Sequence, residues 1–232
     1  MGKICVISKG KDKGIKGGEV HLKSVCGEEV VYLKLLGGGR RYLRRTLLKE
    51  KVDRAVKDGE IPLFAEEELE RAGIKIFDGK SIMPLALPLF LSRATKMDRE
   101  NDKCTVYDEN ADHKTIEIIE MAGERFRFVS FCSKSQNAKK LAEKLMADTG
   151  IALKLGEYRS GVAVVVAGEG GEQKTKINLN NFNDALFVDH HKNKLTPALA
   201  EAIVGIDATA DMIKEKKLKV LIQTLDKDEK MY

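Results

Sequence analysis

The chain has no tryptophan, and its phenylalanines and tyrosines bring the aromatic share to only 6%. An extended row of rings on which single-stranded bases stack is therefore not expected. Cysteine is sparse and scattered, at Cys5, Cys26, Cys104 and Cys132, with no paired spacing. That excludes a zinc ribbon and fits the reduced thiols of a cytoplasm better than a disulfide framework. Long apolar runs are missing too. The longest, Met83 to Leu91, is too short to cross a bilayer and contains Pro84 and Pro88. The start, Met1 to Ser8, lacks the apolar core and small-residue cleavage site of a signal peptide and reads as a first strand. Neither the lysine-containing P-loop nor the spaced-glycine dinucleotide fingerprint occurs. The sequence thus predicts a cytoplasmic protein with no membrane partner, and it names no reaction and no oligomeric state.

What is present is an ordinary apolar share, 43% of 232 residues, enough for a sizeable core. The net charge of +5 is unevenly spread. Residues 1–95 carry 19 Lys and Arg against 13 Asp and Glu, whereas residues 96–232 carry 22 against 23. A basic first part points to an anionic partner for that part.

Thr95 to Lys114 is charged and polar with no helical or strand period, and it reads as a boundary. The expected organisation is a basic lobe at 1–95, a linker at 96–114 and a second lobe at 115–232. In the first lobe, Ile4–Ser8 reads as a strand and Val20–Cys26 with Glu29–Leu36 as a hairpin around Gly27. Leu43, Leu47, Leu48, Val52, Ala55 and Val56 recur at helical spacing, predicting one helix over Tyr42–Lys57. Glu66–Ala72 reads as a helix, Ile74–Phe77 as a strand, and Ser81–Ser92 as an apolar segment broken by prolines.

In the second lobe, Thr115–Glu120 and Arg125–Cys132 read as another hairpin, Asn137–Asp148 as an amphipathic helix and Val162–Ala167 as a central strand. Strands at Lys174–Leu179, Ala185–Val188 and Leu218–Leu225 follow, with one helix over Thr196–Ile213 capped by Thr196 and opened by Pro197. The fold class is α/β, with α+β as the alternative: mixed sheets with hairpins, flanked by helices.

Gly37-Gly38-Gly39-Arg40-Arg41 joins a strand to a helix, where free backbone N–H groups meet anions. Arg40, Arg41, Arg44 and Arg45 crowd the positive end of the helix dipole, a cost that a bound anion would relieve. A second junction of this kind is Ser133-Lys134-Ser135-Gln136-Asn137, for which an ordinary helix cap is the competing reading. Cys132 beside it reads as a buried strand cysteine or, under the influence of Lys134 and the helix start, as a reactive thiol. These junctions predict a phosphate-bearing ligand, either a nucleotide or nucleic acid. The basic bias of the first part tilts the expectation toward nucleic acid.

The competing expectation is chemical. Asp184, Asp189, His190 and His191 are residues that would ligate a divalent metal ion and activate water. Leu186-Phe187-Val188-Asp189-His190-His191 resembles the metal-binding Asp-His-His motif of one phosphoesterase family. That resemblance implies a metal-dependent phosphoesterase or nuclease. The acidic residues that such enzymes carry on an early strand have no counterpart here, since the first strand ends Ile7-Ser8-Lys9-Gly10. A third expectation is an assembly protein pairing through Met83–Leu91.

Overall fold

A computed structural model describes residues 2–10, 17–36, 39–97, 102–173, 175–179, 186–205 and 209–221. The fold is α/β, with sheets flanked by helices. The chain divides into two compact units, one comprising residues 1–85 and 187–219, the other residues 86–186 and 220–232.

In the first unit, β1 (Lys3–Lys9), β2 (Gly17–Val25), β3 (Glu28–Leu36), β4 (Val52–Asp58) and β5 (Lys75–Phe77) form a sheet ordered β2-β3-β1-β4-β5. Ile4 to Ile7 are buried on both sides, as a central strand of a covered parallel sheet requires. The β2–β3 hairpin is the expected one. Its turn places Cys26 and Gly27 at φ 52 and 80, the pair of positive angles a two-residue hairpin loop needs. Helices α1 (Arg40–Lys49) and α2 (Leu63–Arg71) pack Leu43, Leu47, Ala65 and Leu69 onto Cys5, Ile7, Val31, Leu33 and Leu35. On the same sheet, α6 (Pro197–Val204) packs against β1, β4 and β5.

The helix expected over Tyr42–Lys57 ends at Lys49, and the remainder is β4. Lys51 turns the chain at φ 52. The register between β1 and β4 shifts at Asp53, so Val52 and Ala55 enter one core cluster although they are three positions apart. A bulge of this kind imitates helical spacing within a strand. Thr196 caps α6 and Pro197 opens it as expected, but Gly205 at φ 108 breaks the predicted long helix, and α7 (Ala210–Glu215) follows separately. Helix α3 (Ile82–Met97) runs through Pro88, and the chain divides within it. Met83, Ala86, Leu87, Phe90 and Leu91 are buried, so this segment is interior and not the pairing surface the sequence suggested.

The second unit holds β6 (Lys103–Asp108), α4 (His113–Gly123), β7 (Phe128–Cys132), α5 (Ala138–Thr149), β8 (Lys154–Leu155), β9 (Val162–Ala167) and β10 (Thr175–Asn178). Its sheet is ordered β10-β9-β6-β7-β8, and every pairing is parallel. The linker expected at 96–114 is replaced by the end of α3, the buried strand β6 and the start of α4. The expected hairpin is corrected to a strand–helix–strand unit. Asp112 caps α4 by accepting from the N–H groups of Lys114 and Thr115, and Ile118, Ile119 and Ala122 face inward at helical spacing. A run of isoleucines had imitated a strand. A small sheet ordered β12-β11-β13 is formed by β11 (Leu186–Val188), β12 (Lys194–Leu195) and β13 (Lys219–Leu221).

Candidate functional site

Both polar junctions singled out in the sequence stand where a strand passes into a helix. The first lies between β3 and α1. Gly37 and Gly38 fall outside the described residues, and Gly39 is the residue before α1. Among the described residues no side chain caps α1, and its first turn has no acid. The acids come instead from α2. Arg44 donates through Nε and Nη2 to both oxygens of Glu68, the second bond at 2.8 Å. Arg71 Nη1 reaches Glu68 Oε1 at 2.8 Å, and Arg40 Nη2 reaches Glu67 Oε2 at 2.6 Å. The Glu68 side chain is 3% exposed, while those of Arg44 and Arg71 are 49% and 60% exposed. The Arg44 hydrogen bond holds the Glu68 carboxyl below the usual carboxylate range. Arg41 and Arg45 are exposed, with no ion pair among the described residues.

The second junction lies between β7 and α5. Ser133 Oγ accepts from Ser135 N–H, and Ser135 Oγ accepts from Asn137 N–H. Asn137 occupies the cap position of α5 but makes no side-chain cap bond, and the first turn again has no acid. The capping roles expected of these residues are therefore only half filled. The serines shape the turn, and among the described residues no side-chain oxygen accepts from the first helical N–H groups. Lys134 approaches Glu109 at 3.4 Å and Lys139 approaches Glu143 at 3.9 Å, both exposed pairs. Contacts of that kind contribute little. Lys140 and Lys144 have no ion pair among the described residues. With Ala111, Asp112, Ile116, Asn137 and Leu141 they line a groove of about 310 Å³.

The strand order decides what surrounds this second junction. Strand β6 is central, the chain winds outward through β7 to β8, then returns to β9 on the other side of β6 and on to β10. Connections diverge between β6 and β9, and the crevice at the carboxyl ends of such strands is the usual ligand position in doubly wound sheets. At that edge, Glu109 follows β6, Ser133 follows β7 and Gly168 follows β9. Gly168 lies directly against Glu109, which itself meets Lys134.

Beneath the edge is a polar knot. The Tyr107 hydroxyl donates to Glu157 at 2.8 Å and accepts from Gln173 Nε2 at 2.7 Å. Gln173 also donates to the Tyr158 carbonyl, Tyr158 N–H donates to Thr105 Oγ1 at 3.1 Å, and Ser130 donates to Thr105 at 2.9 Å. Burial, reinforced by Glu157, pushes the Tyr107 hydroxyl up to about 12. Cys132, a half-buried residue at the end of β7, is likewise raised, first by burial, which disfavours the reactive-thiol reading without making it a fully buried strand cysteine. Tyr107 and Gln173 were not singled out in the sequence. The glycines at 168, 170 and 171 were the available signal, because a Cβ at Gly171 would fall on the Tyr107 hydroxyl.

The Asp-His-His segment follows β11. Asp189 accepts from His191 N–H at 2.9 Å, Asn193 N–H at 2.8 Å and Asn193 Nδ2 at 2.8 Å. Those bonds outweigh its burial and hold its carboxyl below the usual range. The His190 and His191 rings are 3.8 Å apart and exposed. Asp184 lies outside the described residues. Among the described residues, no group of three or more His, Cys, Asp or Glu is arranged to hold a metal ion.

No helix among the described residues is long and apolar enough to cross a membrane. No protein-family model matches the chain, and no curated protein matches it. Among solved structures it is similar to a Leishmania major Friedlin protein assigned as an aspartate carbamoyltransferase, at 14% identity and a TM-score of 0.34. The likeness covers 72% of this chain and 62% of that one, and at this level it carries no argument about fold or function.

Proposed function

We propose that the chain binds a phosphate-bearing ligand, a nucleotide or nucleic acid, at the β7–α5 junction of the second unit. The observation that carries this is a contrast between two helix starts. Both α1 and α5 begin uncapped, without an acid in the first turn, and with cations nearby. At α1, Glu67 and Glu68 already offset two of the three guanidinium charges of Arg40, Arg44 and Arg71. At α5, Lys140 and Lys144 have no carboxylate partner among the described residues, and both line a groove. Backbone N–H groups with adjacent ammonium groups suit a phosphate. The position at the carboxyl edge of a parallel sheet whose strand order reverses at β6 supports the same reading. Free thiols at Cys5, Cys26, Cys104 and Cys132 support a cytoplasmic location.

The reading is tested by thermal denaturation with ATP, ADP and a short oligothymidylate. A ligand present at about 100 times its Kd adds about 2.7 kcal/mol to stability, which raises Tm by several degrees. The expected result is such a shift with at least one probe, abolished in the Lys140→Glu, Lys144→Glu double variant. An unchanged Tm with every probe, or a shift that survives in the variant, refutes it. The metal-dependent phosphoesterase reading gains no comparable support, because Asp189 is engaged in its own turn.

A further inference from the structure

A different feature stands on the first unit. Between the second half of α1 and the end of α2 runs a cleft of about 250 Å³, lined by Arg44, Leu47, Leu48, Val52, Glu68, Arg71, Ala72 and Ile74. Its floor is apolar. Leu47, Val52 and Ile74 are buried core residues whose outer surfaces form it. Its wall is Leu48, 81% exposed. A single exposed leucine needs no explanation, but one that continues an apolar floor into solvent marks a contact surface. The volume is below the range of about 300–1,000 Å³ typical of small-molecule sites, so the cleft suits one anchoring side chain better than a cofactor.

The rim is cationic and held in place. Glu68 accepts two bonds from Arg44 and one from Arg71, and Arg40 lies 3.6 Å from it while bonding Glu67. Three guanidiniums thus share two carboxylates. The Glu68 carboxylate is buried while the Arg44 and Arg71 side chains remain half exposed. Arg44 and Arg71 retain N–H donors that these bonds do not use, and the bonds to Glu68 restrain their side chains, so less side-chain entropy is lost when an acceptor arrives.

We infer that this cleft docks a peptide segment of another protein in which an aliphatic side chain is flanked by carboxylates. The aliphatic group fills the space beside Leu48, and the carboxylates meet Arg44 and Arg71. Nucleic acid fits less well, since among the described residues no aromatic ring lines the cleft for a base to stack on. The inference is independent of the proposed phosphate site.

The test is a set of ¹⁵N–¹H titrations of the whole chain with three probes: acetyl-Asp-Leu-Leu-Glu-amide, acetyl-Lys-Leu-Leu-Lys-amide and an oligothymidylate. The acidic peptide should shift the amides of Leu47, Leu48 and Ala72, and its affinity should fall at least about tenfold in Leu48→Ser and in Arg71→Gln. Leu48 is exposed, so Leu48→Ser folds, and Arg71→Gln leaves both Arg44 bonds to Glu68 intact. The inference is overturned if the acidic peptide leaves those amides unmoved or if the lysine peptide moves them equally. An oligothymidylate that moves them more strongly, or an affinity unaffected by Leu48→Ser, overturns it as well.

Discussion

The guanidinium of Arg44, on α1, donates to both carboxylate oxygens of Glu68, on α2. The pair explains how a helix can begin with four arginines and no acid in its first turn. Like charges at a positive dipole end are unfavourable locally. Here a second helix packs alongside and brings its own carboxylates to them. The basic cluster is thus an internal latch between α1 and α2, and its outward surface is a rim of half-exposed guanidinium groups.

The latch has a pH signature. Glu68 is held below the usual carboxylate range, first by its bond to Arg44. A depressed carboxyl contributes stability that is complete above the unfolded pKa, about 4.3, and is lost as pH falls through the folded value. Glu68→Gln should therefore lower Tm by several degrees at neutral pH. The gap from the parent protein should close in acid. Calorimetry of both proteins across that range measures it, and a gap of constant size would show that the carboxylate charge is irrelevant.

The polar knot under the second sheet makes its own prediction, in the alkaline range. The Tyr107 hydroxyl is pushed up to about 12, so its neutral form is favoured in the folded chain. Stability from this source is present below about 10 and lost as pH rises through the folded value. An ultraviolet tyrosinate titration should show a late step that Tyr107→Phe removes. The same substitution deprives the buried Gln173 of a partner and should cost about 1–3 kcal/mol in urea denaturation. A tyrosinate titration that Tyr107→Phe leaves unchanged at its alkaline end would exclude this arrangement.

Much of the fold was legible because local and tertiary preferences agreed. The Cys26-Gly27 turn, the strand Val162–Ala167 and the Thr196–Pro197 helix start all appear where chain chemistry put them. Legibility failed where a long-range pairing overrode local spacing. Val52 and Ala55 share a core face only because β1 imposes a bulge at Asp53. Ile116 to Ile119 look like a strand until Asp112 is seen as a cap. The candidate site shows the same division. The two junctions could be found from glycine, serine and arginine content alone. Their difference could not, because it depends on where α2 sets Glu67 and Glu68, a fact of packing.

Gly161 tests the return of the chain into β9. Its φ is 104, and a Cβ there would press on the carbonyl oxygen of Lys103. Gly161→Ala combines backbone strain with a clash against main chain that has no rotamer to escape into. It should cost more than about 1 kcal/mol. Gly150 is the control. It sits at φ 75 with nothing nearby, closing α5. Gly150→Ala therefore carries strain alone and should cost less in parallel urea denaturation curves. Equal losses would mean that Lys103 yields without resistance.

The two junctions can be separated by salt. If an oligothymidylate binds at α5, Lys140→Gln with Lys144→Gln removes phosphate contacts, each worth about 0.7 in the slope of log affinity against log salt for single strands. The pair should flatten that slope by about 1.4 and weaken binding alike for every sequence. Arg41→Gln with Arg45→Gln, on the helix whose other arginines are already paired, should leave the slope unchanged. Fluorescence anisotropy with a labelled oligonucleotide over a salt series measures both. The opposite pattern would return the site to α1. It would mean that Arg41 and Arg45 bind phosphate although Glu67 and Glu68 hold their neighbours, so the neutralising carboxylates would not reach across one helical turn.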